Sequence, residues 1–173
     1  MSQTTQNPMK KISIAKVVLN MGVGKSGEPI QIGTKTLEQI TGKKPNTRNA
    51  KKSQRDWGIR KGEPIGVAVT SRGNDAVELL KKLLTAKDNQ IKEKSFDNDG
   101  NISFGIKEHI DIPGIKYDPQ IGILGLDVSI SLRRPGYRVK VRSNHKSKVG
   151  ITHKITKNDS IDFFTKNFEV KIV

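Results

Sequence analysis

The stretch LGLDVSISLRR, residues 124–134, decides the fold. Leu124, Leu126, Val128, Ile130 and Leu132 alternate with glycine, aspartate and serine, so an extended chain places its apolar side chains on one face and small polar ones on the other. One face then needs a core, while the opposite face is free to meet water or a ligand. Such alternation belongs to antiparallel sheets, because parallel strands covered on both sides read as unbroken apolar runs.

The same period returns on either side. Ile102, Phe104 and Ile106 alternate, as do Ile65, Val67 and Val69 in PIGVAVTSR, and ISIAKVVL (12–19) is rich in β-branched residues and ends at a glycine cluster. Between these strands the period changes to that of a helix. Ile30, Gly33, Leu37 and Ile40 share one helical face, with Gly42 placed to stop it; Val77, Leu80, Leu83 and Leu84 form a second stripe, capped by Asn74. Thr156 or Asn158 caps a last helix whose Ile161, Phe164 and Phe168 face inward, and EVKIV (169–173) closes as an edge strand. Residues 43–62 read as a loop with a short strand at its start, 87–100 as a polar connection with a DNDG turn, and 110–122 as a long structured loop with prolines and glycines. The expected class is α+β: an antiparallel sheet with helices packed on one side and long basic loops. Residues 1–9 form a flexible tail, and 10–173 form one domain, as the length of 173 residues suggests.

Charge is the strongest compositional fact. Net charge is +15, and it is concentrated: residues 43–61 and 133–154 carry sixteen basic residues and one acid, Asp56, while the other 132 residues are balanced. Like charges packed this densely repel one another, so a polyanionic partner is the expected counterweight. Apolar residues make up 33% of the chain, which predicts a thin core and a large surface. With no cysteine, disulfides, thiolate metal sites and cysteine nucleophiles are excluded together. No signal-peptide core or membrane-spanning run is read, so the expectation is a soluble, unexported protein with no membrane partner.

GVGKSG (22–27) contains GKS, half of a phosphate-binding loop, but the motif needs a glycine where Leu19 stands inside a strand. It reads as a tight turn instead. His109, His145 and His153 lack ligand spacing and read as RNA-facing or surface histidines. Asp97, Asp99, Asp111 and Asp118 lack the order of a calcium loop and read as turn residues. No catalytic residue, metal, cofactor or small-molecule substrate is expected. RNA binding is better supported. Trp57, the only tryptophan, sits in RDWGIRKG between Arg55 and Arg60, where its ring can stack on an unpaired base while its neighbours neutralise phosphates. The alternative is that Trp57 packs into the core. Tyr137 in RRPGYRVKVR has a similar setting, with a solvated basic hairpin as its alternative.

VVLNMGVG (17–24), LEQITGKKP (37–45), AKKSQRDWGIRKGEPIGVAVTSRG (50–73), SFGIKEHIDIPGIKYDP (103–119) and GLDVSISLRRPGY (125–137) together resemble the family of the universal large-subunit ribosomal protein five. Eukaryotes call their version protein eleven. RRPGY and the later HKIT are similar to its archaeal and eukaryotic branch. The resemblance implies a cytoplasmic structural protein of the ribosome's central protuberance, bound to 5S rRNA and large-subunit rRNA. Its implied rRNA-binding residues are Asn20, Lys43, Trp57 and Thr70; Arg48, Lys51, Lys52, Arg133, Arg134, Tyr137 and Arg138 join them from the basic segments. Many relatives have glutamine in place of Lys43 and phenylalanine in place of Trp57. Arg55, Trp57, Gly58, Ile59 and Arg60 correspond to a loop that reaches toward P-site tRNA. A bridge to small-subunit ribosomal protein thirteen is also implied, with Pro113–Gly122 as the region for it. An enzyme acting on RNA or nucleotides is the competing reading, and it would need an acid, base or metal cluster beside the basic loops.

Overall fold

The computed structural model describes residues 7–24, 26–115 and 122–173. Five strands form one antiparallel sheet: β1 (Ser13–Gly22), β2 (Asn46–Asn49), β3 (Pro64–Ser71), β5 (Ile102–Ile106) and β6 (Leu126–Arg133), in the order β2-β3-β1-β6-β5. The alternating residues of β6 behave as their period requires. Leu126, Val128, Ile130 and Leu132 are buried, and they align with Leu19 and Val17 of β1 and with Ile106, Phe104 and Ile102 of β5 on the same face. Val67 and Val69 of β3 continue this layer beside Met21 and Leu19.

Helices cover that face. In α1 (Glu28–Thr41), Ile30, Leu37 and Ile40 are buried, and Gly42 ends the helix in the left-handed region at φ 64°, donating its N–H to Glu38 O at 2.7 Å. Gly33 lets α1 lie close on the sheet, for a Cβ there would meet Val67 at 3.0 Å and the Met21 sulfur at 3.3 Å. α2 (Asn74–Thr85) buries Ala76, Leu79, Leu80, Leu83 and Leu84. Its cap differs from expectation: Gly73, at φ 70°, holds the cap position, and Asn74 is the first helical residue. A short α3 (Arg138–Val141) follows the Pro-Gly turn, and α4 (Lys157–Phe168) starts at Thr156. There Thr156 Oγ accepts the Asp159 N–H at 3.3 Å and the Asp159 carboxylate accepts the Thr156 N–H at 3.0 Å.

The chain's end corrects a second expectation. Lys171–Ile172 (β7) does not extend the main sheet; it pairs in parallel with Gln90–Ile91 (β4) as a separate two-stranded ribbon. The 87–100 segment therefore does more than connect, since Ile91 and Phe96 join the core. Phe164 sits among aromatic rings in this part of the core, with the Phe96, Phe163 and Phe168 rings at 6.2, 5.7 and 5.4 Å.

Candidate nucleic-acid interface

Among the described residues, no helix layer covers the sheet's other face. Strand parity places Lys16, Val18 and Asn20 of β1 there, with Ala68 and Thr70 of β3, Asn46 and Arg48 of β2, Asp127, Ser129 and Ser131 of β6, and Ser103 of β5. Apart from Lys16 and Arg48 these side chains are short, and most are polar, so the face is shallow and rich in hydrogen-bonding groups. Asn20 and Thr70 are diagonal neighbours on it: Asn20 lies opposite Ala68, and Val18 opposite Thr70.

The two basic segments flank this face at opposite ends. Residues 50–63 leave β2 and return into β3 beside Gly22, whereas residues 133–154 leave β6 beside Ser13. Ten residues of β1 separate the ends, which is about 30 Å of extended chain. The first segment is a hairpin-like arm. Ala50 exchanges backbone bonds with Glu63 and Gly62, and further out Gln54 and Ile59 exchange two more at 2.8 and 3.0 Å. Glu63 braces its base by accepting from the Ser26 hydroxyl and, at 2.9 Å, from the Arg60 N–H. Those bonds, the Ser26 contact first, hold the Glu63 carboxyl below its ordinary pKa. At the tip, Arg55–Trp57 form a 3-10 turn closed by Gly58 at φ 66°, and Trp57 is 75% exposed. Trp57 therefore does not pack into the core.

Lys43 stands apart from the open face. Its ammonium lies 2.7 Å from the Asp75 carboxylate and 3.2 Å from Ser71 Oγ, and Ser71 aligns with Val17 on the helix-covered side. The hydrogen bond from Lys43 and its charge lower the Asp75 pKa.

The second segment divides unexpectedly. Arg133 and Arg138 are exposed, but Arg134 is buried at 9% exposure. Its guanidinium donates to His153 O and Lys154 O and pairs with the Asp159 carboxylate at 3.0 Å. Burial raises the Asp159 pKa, but the Thr156 bonds and the Arg134 charge outweigh it and leave the carboxyl below its ordinary value. Arg134 thus clamps residues 153–154 to the start of α4 and has no free fork for a phosphate. Tyr137 is half-buried beside it, its hydroxyl accepting from the Ile155 N–H at 2.9 Å and donating to His153 O at 3.3 Å. His153 bonds Pro135 O at 2.8 Å, and His109 is buried, its Nδ1 accepting the Leu124 N–H at 3.3 Å. Neither His109 nor His153 is a simple surface histidine.

Among the described residues, ion pairs engage three of the sixteen basic side chains in the two segments: Lys43, Arg134 and Lys154, the last at 4.0 Å from Asp99. The positive charge is not neutralised from within. No group of three metal-ligating side chains occurs among the described residues, and none of their helices is long and apolar enough to cross a membrane. In GVGKSG the Val23 and Gly24 N–H groups both donate to Ile65 O; Lys25 lies outside the described residues, as do Asp118 and positions 116–121 of the Pro113–Gly122 loop.

Family models match almost the whole of this architecture: ribosomal protein L5 over residues 7–60 and the C-terminus of the same ribosomal family over residues 64–163. The chain belongs to the L5 family of ribosomal proteins. Curated relatives named large ribosomal subunit protein uL5 include one from Nitrosopumilus maritimus, 63% identical over 99% of both chains. Others come from Cenarchaeum symbiosum, 58% identical over 95% of this chain and 98% of the relative, and Pyrobaculum aerophilum, 51% identical over 96% and 93%. All three are archaeal, in keeping with the branch that RRPGY indicates. The L5 family consists of ribosomal structural proteins, not enzymes, so the reading as an RNA- or nucleotide-processing enzyme is set aside.

Strand parity could have revealed more of the site. Ser129, Ser131 and Asp127 alternate with the buried residues of β6 and were legible as an outward row. The same parity, carried two residues beyond Leu132, points Arg134 inward.

Proposed function

We propose that the chain is a structural constituent of the large ribosomal subunit that binds 5S rRNA in the central protuberance, with the open sheet face as its docking surface. The observation that carries this reading is the placement of Asn20 and Thr70 together on a shallow polar face between two basic arms. Folded RNA is recognised by shape, backbone and unstacked bases, and such a face can approach a sugar-phosphate surface closely. Asn20, Thr70, Arg48, Arg133 and Arg138 contact the RNA directly; Lys51 and Lys52 neutralise phosphates from the first arm. Lys43 reaches the RNA only by leaving Asp75. Tyr137 and Arg134 hold the second arm in place.

The tip of the first arm, Arg55 to Arg60, contacts P-site tRNA, with the exposed Trp57 ring as its stacking surface. The Pro113–Gly122 loop forms the bridge to small-subunit ribosomal protein thirteen. Residues 10–173 act as one domain and 1–9 as its tail.

Two measurements test the proposal. Protein recovered from its native cells should carry 5S rRNA when the bound RNA is sized, and recovery of other RNAs alone would refute it. Trp57 also touches rRNA, so Trp57→Ala should weaken the tRNA contact most, by about 5- to 150-fold, the equivalent of one lost base stack, and 5S binding by less. Equal loss on both RNAs would contradict the separation of the arm tip from the sheet face.

A further inference from the structure

A groove of about 1120 Å³ opens where the second arm folds back toward the sheet. That is room enough for a stretch of extended chain as well as for a small molecule. Five lysines line it: Lys16, Lys140, Lys146, Lys148 and Lys154, with Asp99 as the one acid. Val141 and Ile151 also line it, yet they are 79% and 88% exposed, which leaves aliphatic surface uncovered among cations. Lys16 and Ser131, paired across β1 and β6 on the open face, belong to the groove as well, so the two surfaces are continuous. Internal hydrogen bonds brace the arm. Arg142 Nε donates to His145 O at 2.8 Å, Ser147 N–H to Val139 O at 3.2 Å, and the Arg134 clamp fixes the far end.

We infer that this groove binds a single-stranded RNA segment running off the open face, its phosphates on the lysines and its bases and sugars against Val141 and Ile151. Charge complementarity selects a polyanion, and continuity with a face that docks RNA selects RNA over an acidic peptide. A duplex hides its base faces in stacking and cannot use the aliphatic surface; an unpaired strand can. The inference rests on the RNA-binding reading above.

The probe is an unstructured RNA oligomer of about ten nucleotides, within the span that single-strand grooves accept. Lys140→Ala with Lys148→Ala should make the dependence of log affinity on log salt shallower by about 1.4, at about 0.7 for each single-strand phosphate released. Val141→Ser with Ile151→Ser should weaken the oligomer about tenfold at every salt concentration and leave the slope unchanged. Thermal melting of each variant confirms that the fold is intact. A hairpin duplex should bind no more weakly to the serine variant than to wild type. Indifference of the oligomer to both double variants overturns the inference, and so does loss of an acidic peptide in its place. Wild-type binding to 5S rRNA is measured alongside. Its absence would sink the docking-surface reading, whereas intact 5S binding with an indifferent oligomer sinks only the groove.

Discussion

Raising salt from about 50 to 200 mM should weaken binding to 5S rRNA by roughly a thousandfold. Two basic arms stand about 30 Å apart at the ends of β1, well beyond the roughly 8 Å screening length at physiological salt. Each arm therefore meets phosphates as a separate electrostatic site, and only a polyanion long enough to span the sheet engages both. Six phosphate contacts shared between the arms suffice for the predicted loss, since each released counterion contributes about 0.9 to the slope. Arg48→Ala, at the foot of the first arm, should remove about one unit of slope, and Lys52→Ala another, with similar loss across unrelated RNAs. A nearly flat response would mean that affinity comes from the uncharged groups of the sheet face, and the purpose assigned to the charged arms would be wrong.

Much of this arrangement was legible because a strand with unlike faces must alternate. β6 announced itself for that reason, and Gly42 marked the end of α1 because a left-handed residue there is least strained as glycine. What escaped has equally physical causes. The strands of the β4–β7 ribbon are two residues long and lie about eighty residues apart, too short for any period to register. Gly73 took the cap position of α2 through backbone geometry alone, with no side-chain bond, so Asn74 looked the better cap. In the basic segment composition misled outright: Arg133 and Arg134 are chemically identical neighbours, yet one reaches solvent and the other clamps two carbonyls and a carboxylate. Charge density identified the segment; only parity separates its ligand from its anchor.

Phe164→Ala should cost about 3–5 kcal/mol of stability, a large share of the roughly 5–15 kcal/mol that holds a domain folded. Phe164 is fully buried, and three aromatic rings surround it, so truncation leaves a cavity that no single neighbour can fill. Phe163→Ala on the same helix should cost less, because Phe163 is only half-buried. Urea denaturation of both variants decides the matter, and equal midpoints would refute the packing argument. The consequence extends to the RNA surface. α4 holds Asp159, Asp159 holds Arg134, and Arg134 holds the carbonyls at the end of the second arm. Loosening α4 should therefore free that arm, and RNA gripping the arm should tighten α4 in return, because a ligand that binds only the folded state stabilises it. Saturating 5S rRNA should raise the melting temperature of the Phe164→Ala protein and restore hydrogen-exchange protection to α4. Rescue of the sheet without rescue of α4 would show that the arm and the aromatic cluster are not coupled.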